Sequence, residues 1–239
     1  MRYIGPSAKT AYYLKRIQGL YPCWRLKYIV KCSSTENELS NFFKNKKIKS
    51  KAPIAIIARE QFASYGQRSR VWYAKRGGIW ISAAHPIFSS KFSSEIFSLS
   101  FAINLCETLR KEKIKVDLKW PNDILFGTKK LIGFLPKVIT RGKEIKYVRV
   151  GIGMNLLNKT PSEGISLSQV LKTRNINEYY WTAKILKALH DSIVCNDKKE
   201  YIINSGNKFL NKAFLPRGFS PLEWKIKDSI LYIKAKNKM

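Results

Sequence analysis

The sequence predicts a fold that mixes strands with helices, and three observations predict it. Short stretches run as buried apolar blocks or alternate apolar with polar residues, as strands do; Ile54-Ala55-Ile56-Ile57-Ala58 is the clearest block. Longer stretches repeat apolar residues at helical spacing, as in Phe97, Phe101, Leu105 and Leu109. A tight turn rich in Pro, Asn, Asp and Gly separates apolar runs between Lys119 and Gly133. With 239 residues, 45% of them apolar, the chain can build one sizeable core with at most a small appendage.

Residues 1–23 read as a basic, Tyr-rich lead-in with a short helix near Lys9–Gln18; no acid occurs before Glu36. Trp24–Val30 reads as the first strand. Ser33-Ser34-Thr35-Glu36 starts a helix, with hydroxyls at the cap and acids in the first turn, running to about Lys47. A buried strand follows within Pro53–Glu60, and Gly77-Gly78 turns into another at Ile79–Ser82. Ser93 and Ser94 open a long helix through Lys113, whose Phe97–Leu109 stripe belongs to the core.

Val116 to Trp120 alternates as a half-buried strand, and Pro121 ends it. Asn122 and Asp123 have short polar side chains that fold onto a turn backbone. Ile124–Phe126 and Leu131–Leu135 flank Gly127-Thr128-Lys129-Lys130, a hairpin pattern. Lys130 therefore begins a strand beside a rigid turn, a placement that suits an anionic ligand. Pro136 is expected to weaken the ladder of that strand.

After a turn near Arg141–Lys143, Tyr147–Val150 reads as a strand, with Gly151-Ile152-Gly153-Met154-Asn155 following it. A Gly-x-Gly by itself means close backbone packing. Ser162–Val170 reads as a loop with a turn of helix. Tyr179–Val194 is an amphipathic helix with Trp181, Ile185, Leu189 and Ile193 on one face and a structural His190 beside it. A last helix spans about Lys198–Lys212, and Leu222–Lys234 alternates well enough for two short strands.

Forty-five basic residues against sixteen acidic ones give a formal charge of +29. Such a field attracts polyanions, acidic proteins and nucleotides. The cations are spread along the chain rather than gathered in a stripe, and Lys, Asn and Ile are enriched together, as AT-rich coding produces. We read an anionic ligand on a chain of drifted composition, not a dedicated nucleic-acid footprint. Cys23, Cys32, Cys106 and Cys195 form no Cys-x-x-Cys, and with only His85 and His190 they argue against a zinc site. Reduced thiols, no run of membrane-spanning length and no visible signal peptide place the protein in the cytoplasm and off the membrane.

Lys119-Trp-Pro-Asn-Asp123 followed by Lys129-Lys-Leu-Ile-Gly133 resembles the signature of the biotin protein ligase family. The resemblance covers about residues 24–213. It implies an α+β fold shared by biotin and lipoate ligases: a mixed β-sheet backed by helices, of the class II synthetase-like kind, over residues 24–213. Residues 214–239 would be a short remnant of the small β-domain that family members often add. Residues 1–22 are too short for the helix-turn-helix domain that some members carry.

The resemblance implies ATP-dependent attachment of biotin, through biotinyl-5'-AMP and with Mg2+, to a lysine of the biotin carboxyl carrier protein of acetyl-CoA carboxylase. The enzyme would act as a monomer or homodimer. It assigns catalysis to Lys130, Arg68 and Arg70. Biotin would meet Ser34, Thr35, Gln61, Tyr65, Gly66, Gln67, Lys130, Gly133 and Gly151. The nucleotide would meet Trp72, Lys119, Asn122, Asp123, Gly153 and Asn155.

Several positions depart from the family. Glu36 stands where Asn is usual, and Lys137 where a Glu is usual. In the Gly-Arg-rich loop, Ser64 and Ser69 replace glycines, while Tyr65 and Gln67 replace arginines. Tyr65 and Gln67 hydrogen-bond but carry no charge, which leaves open a homologue that binds biotin or carrier without catalysis. Lipoate or octanoate ligation uses the same fold.

Overall fold

The computed structural model describes residues 5–18, 23–45, 52–67, 70–142, 144–211, 214, 224–227 and 230–233. The elements run α1 (Pro6–Gln18), β1 (Arg25–Ile29), α2 (Thr35–Asn45), β2 (Ile54–Ala58), β3 (Ile79–Pro86), α3 (Ser94–Lys111) and β4 (Asp117–Lys119). They continue with β5 (Asp123–Phe126), β6 (Lys129–Arg141), β7 (Glu144–Met154), α4 (Leu167–Leu171), α5 (Glu178–Val194), α6 (Lys199–Phe209), β8 (Trp224–Lys227) and β9 (Ile230–Ile233). The expected ends of α2 at Lys47 and α6 at Lys212 lie outside the described residues.

Seven strands form one sheet in the order β1-β2-β3-β7-β6-β5-β4. β1 and β2 pair in parallel, with α2 as the crossover, and every other pair is antiparallel. The sheet is therefore mixed and backed by helices, as expected.

The two faces are covered unequally. Ala55 and Ile57 of β2 point into the main core with α3 and α5, while Ile54 and Ile56 form a second small cluster with Leu39 of α2. Coverage on both sides explains why β2 is a continuous apolar run instead of an alternating one. α3 is the centre of the main core. The Phe97, Phe101, Leu105 and Leu109 stripe is buried, and Phe101 meets Phe134 of β6 edge to face at 4.9 Å. Leu14 of α1 and Ile226 of β8 also enter this core. β8 is tied to α6 through Asn207, which accepts from the Ile226 N–H (2.7 Å) and donates to its carbonyl (3.1 Å).

Two local expectations need correction. Pro136 does not interrupt β6, which runs on to Arg141 and pairs Pro136 with Val150. The pairing with β5 has ended at Gly133, so the missing N–H falls on a free edge. Gly151 and Gly153 do not follow a strand but lie within β7.

His190 is half-buried, and its Nδ1 lies 3.2 Å from Nε2 of buried His85. His85 Nδ1 faces the Pro86 carbonyl at 2.8 Å and so carries the proton. His85 Nε2 then accepts from His190, and both rings are held neutral. Burial, with the neighbouring His190, pushes the His85 pKa down to about 4, and burial lowers that of His190 as well. Because the folded value lies below the unfolded one of about 6.5, the unfolded chain binds the extra proton first. Stability should therefore fall as pH drops from about 6.5 towards 4, by up to about 3 kcal/mol from His85. Urea unfolding across that range, compared with His85→Gln, checks this; an equal pH slope in the two proteins would refute it.

Candidate active site

The sheet face opposite the main core is only partly covered by α2, and a cavity of about 640 Å³ opens beside it. That volume suits a small organic ligand. Its floor is made of cross-strand rows on β3, β7 and β6. Trp80, Gly153 and Gly133 form one row, which continues to Asp123 on β5. Ser82, Gly151 and Leu135 form the next, and Ala84, Arg149 and Lys137 the third. Alternation sends Val148, Val150 and Ile152 of β7 into the main core and leaves glycine on the cavity face, so the floor is sunk by the length of a side chain.

One wall is the start of α2. Ser34 and Thr35 are buried although polar, at 4% and 3% exposure. The Ser34 hydroxyl accepts from the Glu36 N–H (3.2 Å), an N-cap bond. Thr35 donates both its N–H (2.6 Å) and its hydroxyl (3.0 Å) to Gln61 Oε1. Having spent its one proton, the Thr35 hydroxyl accepts from Ser82 Oγ at 2.9 Å. Capping a helix and lining a cavity are thus done by the same two residues.

The second wall is the loop after Gln61. It is anchored to the residues before α2, Phe62 N–H to Cys32 carbonyl (3.1 Å) and Ala63 N–H to Ser33 carbonyl (2.9 Å). It then folds back on itself. The Trp72 N–H donates to the Ser64 carbonyl (3.1 Å), Tyr65 bridges Val71, and the Gly66 N–H donates to the Arg70 carbonyl (2.7 Å). Ser64, standing where the family resemblance expects glycine, closes the base of this hairpin by donating its hydroxyl to the Trp72 carbonyl at 2.7 Å. Tyr65, Gly66, Gln67 and Arg70 all line the cavity. Arg68 and Ser69 lie outside the described residues.

Lys130 sits at the third side. Strand period two would put it on the core face, together with Ile132 and Phe134. A bulge intervenes: Ile124 pairs with Ile132 but Leu125 pairs with Lys130, leaving Leu131 as the extra residue. Leu131 and Ile132 are both buried, and Lys130 turns to the cavity. Its ammonium lies 2.6 Å from Asp123 Oδ1 and 4.6 Å from the centre of the Trp72 ring.

Asp123 is placed by Asn122, which holds the preceding turn to β6. Its side-chain amide donates to the Phe134 carbonyl (2.6 Å), and its carbonyl accepts from the Phe134 N–H (3.1 Å). Asn155 donates to the Lys130 carbonyl at 3.2 Å and is itself held by Asn158 at 2.9 Å.

Trp72 lies flat on the glycine floor. A Cβ at Gly153 would come within 2.6 Å of the indole, and one at Gly133 would press on the indole and on the end of Lys130. Trp72 Nε1 is buried with no partner among the described residues, a donor facing a cavity-lining surface.

The expected site residues therefore converge on this cavity, with two exceptions. Arg68 is not described, and Lys119 does not line the cavity: it lies on β4, with its ammonium 4.5 Å from the Phe214 ring centre. Sequence reasoning missed Ser82, Arg149 and, in the segment Pro161–Gly164, Pro161, Glu163 and Gly164, all of which line it. A lone hydroxyl in the buried run Ile79–Ala84 was a readable sign for Ser82. Arg149, two and four residues before Gly151 and Gly153, shares their strand face and could have been found by parity. The Pro161–Gly164 segment reaches the site through main-chain bonds, Lys130 N–H to Glu163 carbonyl (2.8 Å) and Ile165 N–H to Lys130 carbonyl (3.0 Å), which leave no side-chain signature.

With this geometry in view, the chain belongs to the biotin/lipoate A/B protein ligase family, whose model matches residues 29–155. Over 111 residues it is 32% identical to the bifunctional ligase/repressor BirA of Bacillus subtilis, covering 45% of this chain and 34% of that protein. It is 31% identical over 104 residues to the biotin–[acetyl-CoA-carboxylase] ligase of Paracoccus denitrificans, covering 42% and 43%. The matched regions thus span less than half of these relatives. Among solved structures, the Aquifex aeolicus biotin protein ligase in complex with biotin and ATP superposes with a TM-score of 0.67 at 19% identity, covering 89% of this chain and 96% of that one. The Helicobacter pylori biotin acetyl coenzyme A carboxylase synthetase gives 0.65 at 20% identity, covering 90% and 98%. These superpositions establish the catalytic-domain fold of the biotin protein ligases. No helix among the described residues is long and apolar enough to cross a membrane.

The packing of Trp72 on the floor can be tested directly. Gly153→Ala should push the indole away, shifting tryptophan emission to the red while the far-ultraviolet circular dichroism stays unchanged. The shift should vanish in a Trp72→Phe background. An unshifted spectrum would show that the floor accommodates a methyl group.

Proposed function

We propose that the protein activates biotin with ATP and transfers it to a lysine of a biotin carboxyl carrier protein, that of acetyl-CoA carboxylase. The observation that carries this reading is the Lys130 ammonium, held by Asp123 inside one continuous cavity that also exposes the Thr35–Gln61–Ser82 hydrogen-bond cluster. Family membership, and neighbours described as complexes with biotin and ATP or with biotinyl-5-AMP, support it.

In the first step a biotin carboxylate oxygen attacks the α-phosphorus of ATP, and the bond to the β-phosphate oxygen breaks to release pyrophosphate. Two anions must meet, so a fixed cation beside them lowers their repulsion. Lys130 supplies it, with Arg70 from the loop and, by family resemblance, Arg68. Thr35, Gln61 and Ser82 offer donors and acceptors for the ureido ring. Trp72 and Asn155 flank the nucleotide end.

In the second step a carrier lysine amine attacks the acyl carbon, the C–O bond to AMP breaks, and the amine loses a proton. Mg2+ supplies charge neutralisation on the phosphates of the substrate. Among the described residues no group of three or more metal-type side chains exists. Of the cavity carboxylates, Asp123 is paired with Lys130 and Glu36 with Arg149, so Glu163, which has no ion pair among the described residues, would share such an ion with the phosphates, with Asp123 beside it. That suits an ion bound through one or two carboxylates and substrate oxygens.

The test is incubation with biotin, ATP, Mg2+ and an apo carrier domain, followed by mass spectrometry of the carrier. One lysine should gain a biotinyl group only when ATP is present. Lys130→Ala should stay folded and lose the rate by about 10²–10³-fold. An active Lys130→Ala would remove the central role given to that residue. No gain with folded wild-type protein would point to a binding homologue instead, and a gain only with octanoate or lipoate would move the substrate class.

A further inference from the structure

Arg149 is the one charged residue on the cavity face of β7, where Gly151 and Gly153 follow at the same parity. Its cross-strand neighbours are Ala84 and Lys137. The small Ala84 leaves room for the side chain to cross under α2. There it meets three residues spaced along one helical face. Nη2 lies 2.8 Å from Glu36 Oε1 and 3.3 Å from the Glu36 carbonyl, and 2.8 Å from Ser40 Oγ. The guanidinium carbon stands 5.6 Å from the Phe43 ring centre. Phe43 in turn packs edge to face on Tyr147, two residues back on the same strand face, at 5.4 Å.

Spacings of four and three along α2 put Glu36, Ser40 and Phe43 on one stripe, so a single side chain fixes the rotation and height of the helix over the sheet. The Arg149 side chain is only 14% exposed and that of Glu36 26%, so breaking the pair strands a largely buried charge. Glu36 follows directly on Ser34 and Thr35. Holding Glu36 therefore holds the two hydroxyls that face the cavity, and the Thr35–Gln61 bonds extend the hold to the start of the loop. Phosphoryl chemistry lies elsewhere: Lys130 is joined to Asp123, two rows along the floor from Arg149.

We propose that Arg149 is the positioning residue of the acyl end of the cavity. Through its ion pair with Glu36 it locks the first turn of α2, with Ser34 and Thr35, against the sheet, and so sets affinity for biotin separately from ATP. The ligand part of this inference rests on the ligase reading above; the mechanical part does not.

Arg149→Met and the milder Glu36→Gln are compared with wild type in two measurements. Without ligand, hydrogen exchange of the α2 first-turn amides should quicken about tenfold or more in Arg149→Met while the strands of the sheet keep their protection. With ligand, calorimetry should show biotin binding weakened about tenfold or more, with the KM for ATP moved less than biotin affinity. The exchanged pair Glu36→Arg with Arg149→Glu should recover most of the biotin affinity, which a loss of packing alone would not. Unchanged exchange in folded Arg149→Met, or in Glu36→Gln should Arg149→Met fail to fold, overturns the proposal. So does an equal loss of biotin and ATP affinity. Loosened α2 in a chain whose wild type binds no biotin overturns the ligase reading and leaves the positioning role standing.

Discussion

Everything distinctive about this site follows from where one ammonium group is put. Lys130 reaches the cavity because a single extra residue, Leu131, reverses the parity of β6. It can lie down there because Gly133, its neighbour on that face, has no Cβ to meet it. Asp123 faces it because Asn122 clamps the turn to Phe134 with two hydrogen bonds. The Lys130 and Asp123 side chains are only 29% and 20% exposed, and the cost of desolvating both offsets much of their attraction, so the pair is not there chiefly for stability. Its worth is electrostatic. A cation fixed in a concave, partly water-excluded site acts on an incoming anion more strongly than the same cation in bulk water, and needs no rearrangement when the anion arrives.

The cavity exists because the sheet is covered unequally. On one face α1, α3, α5 and α6 complete a core; on the other, α2 covers β2 and β3, reaches β7 at Tyr147 and Arg149, and leaves the glycine-bearing stretch of β7 and the facing part of β6 to the cavity. The edge of α2 becomes a wall, and its cap residues become polar lining. Ser34 illustrates the economy of this arrangement. Its hydroxyl satisfies a helix amide that would otherwise lack a partner, while the residue lines the cavity. A substitution there would loosen the helix and alter the lining together, so losses of stability and of binding at Ser34 are not separable by a single variant.

The physical properties of individual residues decide how much the sequence disclosed. β2 was readable because burial on both faces demands an unbroken apolar run, and α3 because its Phe97–Leu109 stripe has one dominant period. The Asn122–Asp123 turn was readable from its own short side chains. The bulge at Leu131 was not, since Leu131-Ile132 reads equally well as an ordinary buried pair and only cross-strand register reveals the extra residue. Lys119 shows a related limit: it is the cross-strand partner of Asp123, but β4 lies one strand further out, where its ammonium meets the Phe214 ring instead of the cavity. Arg149 was within reach of strand parity from Gly151 and Gly153, but an arginine in a basic chain draws no notice by its type alone. What stayed hidden is what depends on pairing between distant segments, which local pattern does not encode.

The altered loop is where sequence and structure inform one another most. A loop with arginines at positions 65 and 67 could be drawn down over an anionic intermediate by charge. Tyr65 and Gln67 have no charge to contribute, so closure must come from geometry. The structure supplies it: the hydroxyl of Ser64, absent from a glycine, ties the hairpin base to Trp72, and Trp72 rests on Gly153 beside Lys130. The base is also bonded to Cys32 and Ser33, immediately before the α2 wall. Loop, acyl wall and indole are therefore mechanically one unit, and the pull that charge would exert is replaced by pre-organisation. Under the proposed reaction such a loop would give up transition-state electrostatics from two positions, at a cost in rate, and would keep the shape that shields a reactive adenylate from water. If the proposed ligation is the reaction, Tyr65 and Gln67 would weigh on the speed of its first step more than on whether its product is held.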